Sequence, residues 1–310
     1  MTIPADATGD HQTSSLQTWT PRFVTAQDGL KLHLRVHGAQ GGATLPVLCL
    51  PGLTRTGADF DTVAAALAAD PEHPRQVLAL DARGRGRSEH DRDPAKYNLQ
   101  VELSDVLAAL TACGLERAII LGTSRGGLLA MLMAAARPGV LAGVIFNDIG
   151  PVIDAKGLMR IKGYVGKLPQ PRDHAEGAEV MRRLFSGQFP KLGPADWLAA
   201  AQRGWELRDG ALVPTYDIRL AKTLDGVEPE RTMLGLWKEF DALARVPLMV
   251  IRGSNSDLLS RETVEAMRVR RPDLVALEIP DQGHTPLLVE PETIRAVRDF
   301  VLRCDASHQG

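Results

Sequence analysis

Six short apolar runs punctuate this chain, and together they restrict its fold more than any other feature. They read "LPVLCLPG", "RQVLALDARG", "RAIILGTS", "LAGVIFNDIGP", "VPLMVIRGSNSD" and "LVALEIPDQGH". Each has a core without polar alternation, the pattern of a strand buried on both faces in a parallel sheet. Helical patterns lie between them: Asp59 to Ala69, Leu99 to Cys113, Arg125 to Ala136, Arg261 to Arg270 and Glu292 to Leu302. Strands alternating with helices predict an α/β fold, a mostly parallel central sheet flanked by helices.

The rhythm differs at two places. Near the start, "RFVTAQDGLKLHLRVHG" alternates, with Leu30, Leu32, Leu34 and Val36 on one face and Lys31, His33, Arg35 and His37 on the other. Asp28-Gly29 is a hairpin turn signal, so two antiparallel strands are expected first. The face with His33 and His37 reads as an exposed edge rather than a metal site. Between Asp148 and Val246 the strand-helix rhythm stops and short amphipathic helices replace it. Asp173 and Glu176 read as a capping box opening "AEGAEVMRRLF". Gly193-Pro194 opens "ADWLAAAQRGWEL", and "RDGALVPTYD" reads as a turn-rich connector. The expected organisation is a disordered leader at 1–18, a core made of 19–152 and 237–310, and a helical lid inserted at 153–236. Trp197, Trp205 and Trp237 lie in or beside that lid, where they hold it together or line a pocket.

The totals narrow the function classes. The 310 residues are 44% hydrophobic and 24% charged, an ordinary globular composition with material for a sizeable core. A net charge of −2 argues against nucleic acid or an anionic membrane as the main partner. The longest apolar run, Gly126 to Ala136, is too short to span a bilayer. The opening "MTIPADATGDHQTSSLQT" has no basic start followed by an apolar stretch, so no secretory signal is expected there. Cys49, Cys113 and Cys304 have no zinc-binding spacing and read as free thiols in a reducing, cytoplasmic compartment.

The chemistry centres on "AIILGTSRGGLLAMLMAA". Gly122-Thr123-Ser124-Arg125-Gly126 is a G-x-S-x-G sequence set between a strand and a helix. That context makes it a nucleophile elbow, which lifts the serine hydroxyl out from the C-terminal edge of the sheet. A serine needs a base, and the base needs an orienting acid. Of the histidines that follow, His174 starts a lid helix and His308 lies in the tail. His284, in "DQGHTP", sits on a loop at the same sheet edge as Ser124. Two aspartates end strands nearby: Asp257, favoured because its longer polar loop can curl back to the histidine, and Asp148 as the alternative. Asp257 would otherwise serve as a turn or N-cap residue before Arg261.

These segments resemble the α/β-hydrolase family, in its order. "LCLPGLTRTGADF" resembles the loop that supplies an oxyanion-hole amide. "DARGRGRSE" resembles a D-x-R-G-x-G-x-S stretch, "LGTSRGG" the elbow, "IRGSNSD" the acid loop and "DQGHTPLLVEPE" the histidine loop. The resemblance runs from about Arg22 to Leu302. It implies Ser124 as nucleophile, His284 as general base and acid, Asp257 as orienter, and the backbone N–H groups of Leu53 and Arg125 as oxyanion hole, with no cofactor and no metal. Pro51 stands where many relatives carry His. Arg125 either meets a substrate carboxylate or pairs with a neighbouring one such as Asp81. The arginines at 83, 85 and 87 read as a structured turn, not a phosphate site. The implied activity is hydrolysis of a small carboxylic ester or lactone through an acyl-enzyme, by a monomer or homodimer acting on a small molecule. Rival readings are cleavage of a C–C bond in a dienol acid, perhydrolysis, and a receptor-like protein that binds without turnover.

Overall fold

The computed structural model describes residues 18–228 and 235–309, so the leader expected at 1–18 falls almost wholly outside the described residues. The chain opens with the expected hairpin, β1 (Thr20–Thr25) and β2 (Lys31–His37), with Phe23 opposite His33. Gly29 takes a left-handed φ of 87° at the turn. Next come β3 (Val47–Leu50), α1 (Asp61–Ala68), β4 (Val77–Asp81), α2 (Leu99–Ala112), β5 (Ala118–Thr123), α3 (Arg125–Ala136) and β6 (Leu141–Asn147). An inserted segment follows: α4 (Ala155–Tyr164), α5 (His174–Phe185), α6 (Pro194–Gly204), β7 (Trp205–Arg208) and β8 (Ala211–Pro214). The chain then returns through α7 (Trp237–Asp241), β9 (Leu248–Gly253), α8 (Arg261–Arg270), β10 (Val275–Ile279) and α9 (Pro291–Gln309).

Eight strands form one sheet in the order β1-β2-β4-β3-β5-β6-β9-β10. Only β2 runs against the other strands, pairing antiparallel with both β1 and β4. Every residue of β3, β4, β5, β6 and β9 is buried, because apolar clusters cover both sheet faces. From β3 the order runs to β4 on one side and β5 on the other. This reversal opens a crevice at the strands' C-terminal ends, where the loop after β3 meets the elbow after β5. Among the described residues, no helix is long and apolar enough to cross a membrane.

Two expectations are corrected. His33 and His37 are fully buried, not on an exposed edge. Strand β2 lies inside the sheet, between β1 and β4, and α1 with the turn before it packs on the histidine face. His33 Nδ1 lies 2.8 Å from Asp81 Oδ2, and His37 Nε2 lies 3.4 Å from Asp61. Alternation separates two faces but does not say which one the rest of the chain will cover. "RDGALVPTYD" is likewise no mere connector. Leu207 pairs with Leu212 in an antiparallel hairpin turned at Asp209-Gly210.

The inserted segment has its own apolar cluster of Met181, Phe189, Trp197, Ala201, Trp205 and Leu212. Polar bonds tie it to the main sheet. Gly86 N–H donates to Thr215 O at 2.7 Å, Asp217 N–H to Gly84 O at 2.8 Å, and the Tyr97 hydroxyl to Asp217 Oδ2 at 2.6 Å. Burial pushes the Asp217 carboxyl up, but hydrogen bonds from Arg219 and Tyr97 outweigh it and hold the group at about 2, below the ordinary 3.8. A carboxyl lowered on folding stabilises fully above its unfolded value and loses that contribution as pH falls through its folded value. Asp217→Asn should therefore cost about 2 kcal/mol of stability at neutral pH. In melting experiments the gap to wild type should narrow as pH falls from 4 towards 2.

Candidate active site

Ser124 occupies the turn between β5 and α3 with φ 50° and ψ −114°, a conformation side-chain-bearing residues rarely adopt. Backbone packing shows why glycines flank it. A Cβ on Gly122 would lie 2.6 Å from the Gly126 carbonyl, and a Cβ on Gly126 would lie 2.0 Å from Leu50 O. The helix can enter this close to β3 and β5 only without side chains there. The Ser124 N–H donates to Asn147 O at 3.0 Å, which anchors the turn to the end of β6.

His284 lies on the loop after β10, with Nε2 2.9 Å from Ser124 Oγ. Its Nδ1 lies 2.8 Å from Asp148 Oδ2, so three side chains from three strand ends form one hydrogen-bonded line. Asp148 follows β6 directly and is completely buried. Its Oδ1 accepts from Gly253 N–H at 2.9 Å, and its Oδ2 accepts from the Ser256 hydroxyl at 2.6 Å.

The carboxylate on the histidine is thus Asp148, and the expectation of Asp257 is corrected. The loop after β9 curls tightly, with Ser256 N–H donating to Gly253 O at 2.9 Å. It turns its backbone and Ser256 towards Asp148 and leaves Asp257 to Arg160 of α4, which grips it through two bonds of 2.7 and 2.9 Å. Burial pushes the Asp257 carboxyl up, but Arg160 outweighs it and holds the group below the ordinary carboxyl value. His174 instead contacts Trp205 O at 3.2 Å, and His308 lies 2.7 Å from Arg117 Nη1 on α9.

The amides expected to face a developing oxyanion belong to Leu53 and Arg125. Among the described residues neither N–H donates to a protein acceptor. Gly52 lies against Ser124: a Cβ built on it would sit 3.7 Å from Ser124 Cβ. One buried carboxylate braces both sides. Arg85 Nε donates to Leu53 O at 2.8 Å, and Arg85 Nη1 donates to Glu102 Oε1 at 2.9 Å. The other oxygen of Glu102 takes Arg125 Nε at 2.6 Å. Glu102 and Arg85 are each only 1% exposed. Burial pushes the Glu102 carboxyl up, and the two guanidiniums outweigh it and keep it low. Sequence reasoning missed Glu102, which looks like an ordinary polar position of α2. Arg125 does pair with a neighbouring carboxylate, but not with Asp81. Asp81 accepts from Gly57 N–H at 2.7 Å and Arg87 N–H at 3.0 Å. Arg83 is likewise buried and held by Asp105 at 2.6 Å and Asp91 at 2.6 Å, as a structured turn requires.

Ser124 and His284 open into a cavity between the sheet edge and the inserted segment. Its walls are largely apolar, with Ile161, Tyr164, Met181, Phe185, Phe189 and Trp197 supplied by the inserted segment. Trp197 therefore both packs the segment and lines the cavity, whereas Trp205 belongs to the packing alone. Trp237 stacks edge-on against Phe240, with ring centroids 5.9 Å apart. Threonines and Asn147 also line it, and besides His284 its ionisable lining residues other than Tyr164 are Arg55, Asp59, Arg203 and Asp196.

A sequence profile of the alpha/beta hydrolase family matches residues 47–297. A 3-hydroxybutyrate-oligomer hydrolase of Cupriavidus necator is 33% identical over 287 residues, which cover 90% of this chain and 96% of that protein. A 2-(acetamidomethylene)succinate hydrolase of Mesorhizobium japonicum is 25% identical and covers 73% of this chain and 78% of its own. The crystal structure of an α/β hydrolase from Novosphingobium aromaticivorans superposes with a TM-score of 0.86 at 37% identity, over 93% of this chain and 99% of that one. With the profile spanning most of its length and the Cupriavidus and Novosphingobium proteins matching nearly end to end, the chain belongs to the α/β-hydrolase family and is a hydrolase.

Proposed function

We propose that the protein is a serine hydrolase that cleaves small carboxylic esters, in particular esters of short hydroxy acids such as 3-hydroxybutyrate oligomers. The observation that carries this reading is the Ser124–His284–Asp148 line, with bonds of 2.9 and 2.8 Å at the floor of an apolar cavity. Asp148 holds the proton of neutral His284 on Nδ1, which leaves Nε2 to accept from Ser124 Oγ. Ser124 attacks the ester carbonyl as His284 takes its proton, and the Leu53 and Arg125 amides receive the oxyanion. The alcohol leaves with the proton from His284. Water, activated by the same imidazole, then releases the acid and restores Ser124. The segment at 153–236 acts as the lid that supplies the apolar walls. The three cysteines are buried and free, which suits a cytoplasmic enzyme.

The substrate preference draws on the 33% identical relative, whose name denotes an ester of a hydroxy acid. Cleavage of a C–C bond would use the same side chains, but that ester-cleaving relative matches this chain over more of its length than the acetamidomethylene succinate hydrolase does. Receptor-like binding without turnover leaves no purpose for the assembled serine and imidazole.

Hydrolysis of p-nitrophenyl butyrate tests the reading. Ser124→Ala and His284→Ala should each lose at least about a thousandfold in kcat. Asp148→Asn should lose about a thousand- to ten-thousandfold through the wrong imidazole tautomer, while Asp257→Asn stays within about tenfold of wild type. Equal damage from Asp257→Asn would return the acid role to that residue. An inactive wild type would remove the ester reading.

Glu102→Gln leaves Arg85 and Arg125 without their shared anion. It should lower stability by about 3 kcal/mol and cut kcat by about ten- to a hundredfold with KM nearly unchanged, as displaced oxyanion donors would. A raised KM with kcat retained would show that Glu102 does not position those donors.

A further inference from the structure

Two arginines and two carboxylates line the cavity, and they are unevenly paired. Arg55, on the loop after β3, holds Asp59 through two bonds of 2.6 Å. Arg203, from the end of α6, approaches the same carboxylate at 3.4 Å. Among the described residues its guanidinium has no other ion pair and donates no hydrogen bond. Two guanidiniums therefore share one carboxylate that Arg55 already occupies on both oxygens. Asp196, the other carboxylate at the cavity, is exposed and accepts from Gly193 N–H at 2.8 Å. Tyr164, across the cavity, stays neutral because burial pushes its hydroxyl up.

Arg55 is close to the chemistry. A Cβ built on Gly52 would lie 3.5 Å from Arg55 Cγ and 3.7 Å from Ser124 Cβ, so the arginine stem and the nucleophile flank the same glycine. A half-buried guanidinium with unused donors facing an otherwise apolar space calls for an anion with two acceptor oxygens. Burial pushes Arg203 down and Arg55 adds to that push, together outweighing the opposite pull of Asp59, Asp61 and Asp196.

We propose that Arg203, with Arg55, forms a carboxylate-binding subsite for substrates that carry a free carboxylate a few bonds from the scissile ester. The proposal rests on the serine-esterase reading and deepens it. In a linear ester of hydroxy acids the only free carboxylate belongs to the terminal unit. Anchoring it places the last ester carbonyl over Ser124. The acyl C–O bond of that ester breaks as Ser124 Oγ bonds to the carbonyl carbon, and the terminal hydroxy acid departs with the proton relayed by His284. Water then frees the shortened acid, so each cycle consumes one ester bond and one water. The enzyme thus trims from the carboxylate end.

Calorimetric titration of Ser124→Ala, which binds without cleaving, tests the subsite. The titrants are the linear dimer of 3-hydroxybutyrate and the same dimer with its terminal carboxylate converted to a primary amide. The acid should bind at least about tenfold more tightly than the neutral isostere. Adding Arg203→Gln should erase that preference, and Arg203→Lys should keep part of it. Equal affinity for acid and amide, no binding of the acid, or a preference that survives Arg203→Gln would overturn the proposal. The acid–amide comparison needs no arginine variant, so a misfolded Arg203→Gln does not rescue or sink it. Turnover of p-nitrophenyl butyrate by wild type reports separately on the esterase reading.

Discussion

A completely buried carboxylate must be fully hydrogen-bonded or the fold is penalised by several kcal/mol, and the way Asp148 meets that demand organises the active edge of this molecule. It takes a backbone N–H from Gly253, a hydroxyl from Ser256 and an imidazole nitrogen from His284. Those partners come from the loops after β9 and β10, while Asp148 itself ends β6. One anion therefore fixes three loops against each other, and His284 is left facing Ser124. The elbow is fixed by backbone contact instead, with α3 pressed so close on β3 that only glycine fits at 126. Ser124 and His284 are each held by structure that forms with the sheet itself.

A second buried anion plays a comparable part on the opposite side of Ser124. Glu102 joins Arg85, which holds Leu53 O, to Arg125, which follows Ser124. The loop after β3, with Pro51 at its start, is held by the Arg85 bond to Leu53 O. The arginine-rich stretch after β4 is thus structural. Arg83 and Arg85 are buried against Asp105, Asp91 and Glu102, and the backbone meets the inserted segment through Gly86 and Gly84.

Much of this was legible in the sequence, for identifiable reasons. Five of the six apolar runs are strands buried on both faces, and the helices at Arg125–Ala136 and Arg261–Arg270 begin and end where periodicity places them. Ser124 and His284 were singled out because each follows a strand in a recognisable local context, and the structure brings them within 2.9 Å of each other. The misreadings concern partners distant in sequence. Asp148 and Asp257 both follow strands, and only the tight turn at Gly253–Ser256 and the grip of Arg160 decide between them. His33 and His37 alternate as an exposed face would, yet α1 covers them. The Asp209-Gly210 turn carries the same signal as Asp28-Gly29, but the strands beside it are too short to register. Arg203 and Asp59 lie far apart in the chain, and no local pattern joins them.

The central claim is that Ser124 is the nucleophile, activated by His284. Intact-protein mass spectrometry after treatment with a fluorophosphonate, followed by peptide mapping, tests it most directly. The account predicts one covalent adduct per chain, located on Ser124 and formed far more slowly in His284→Ala. No adduct, or an adduct on another residue, would contradict it.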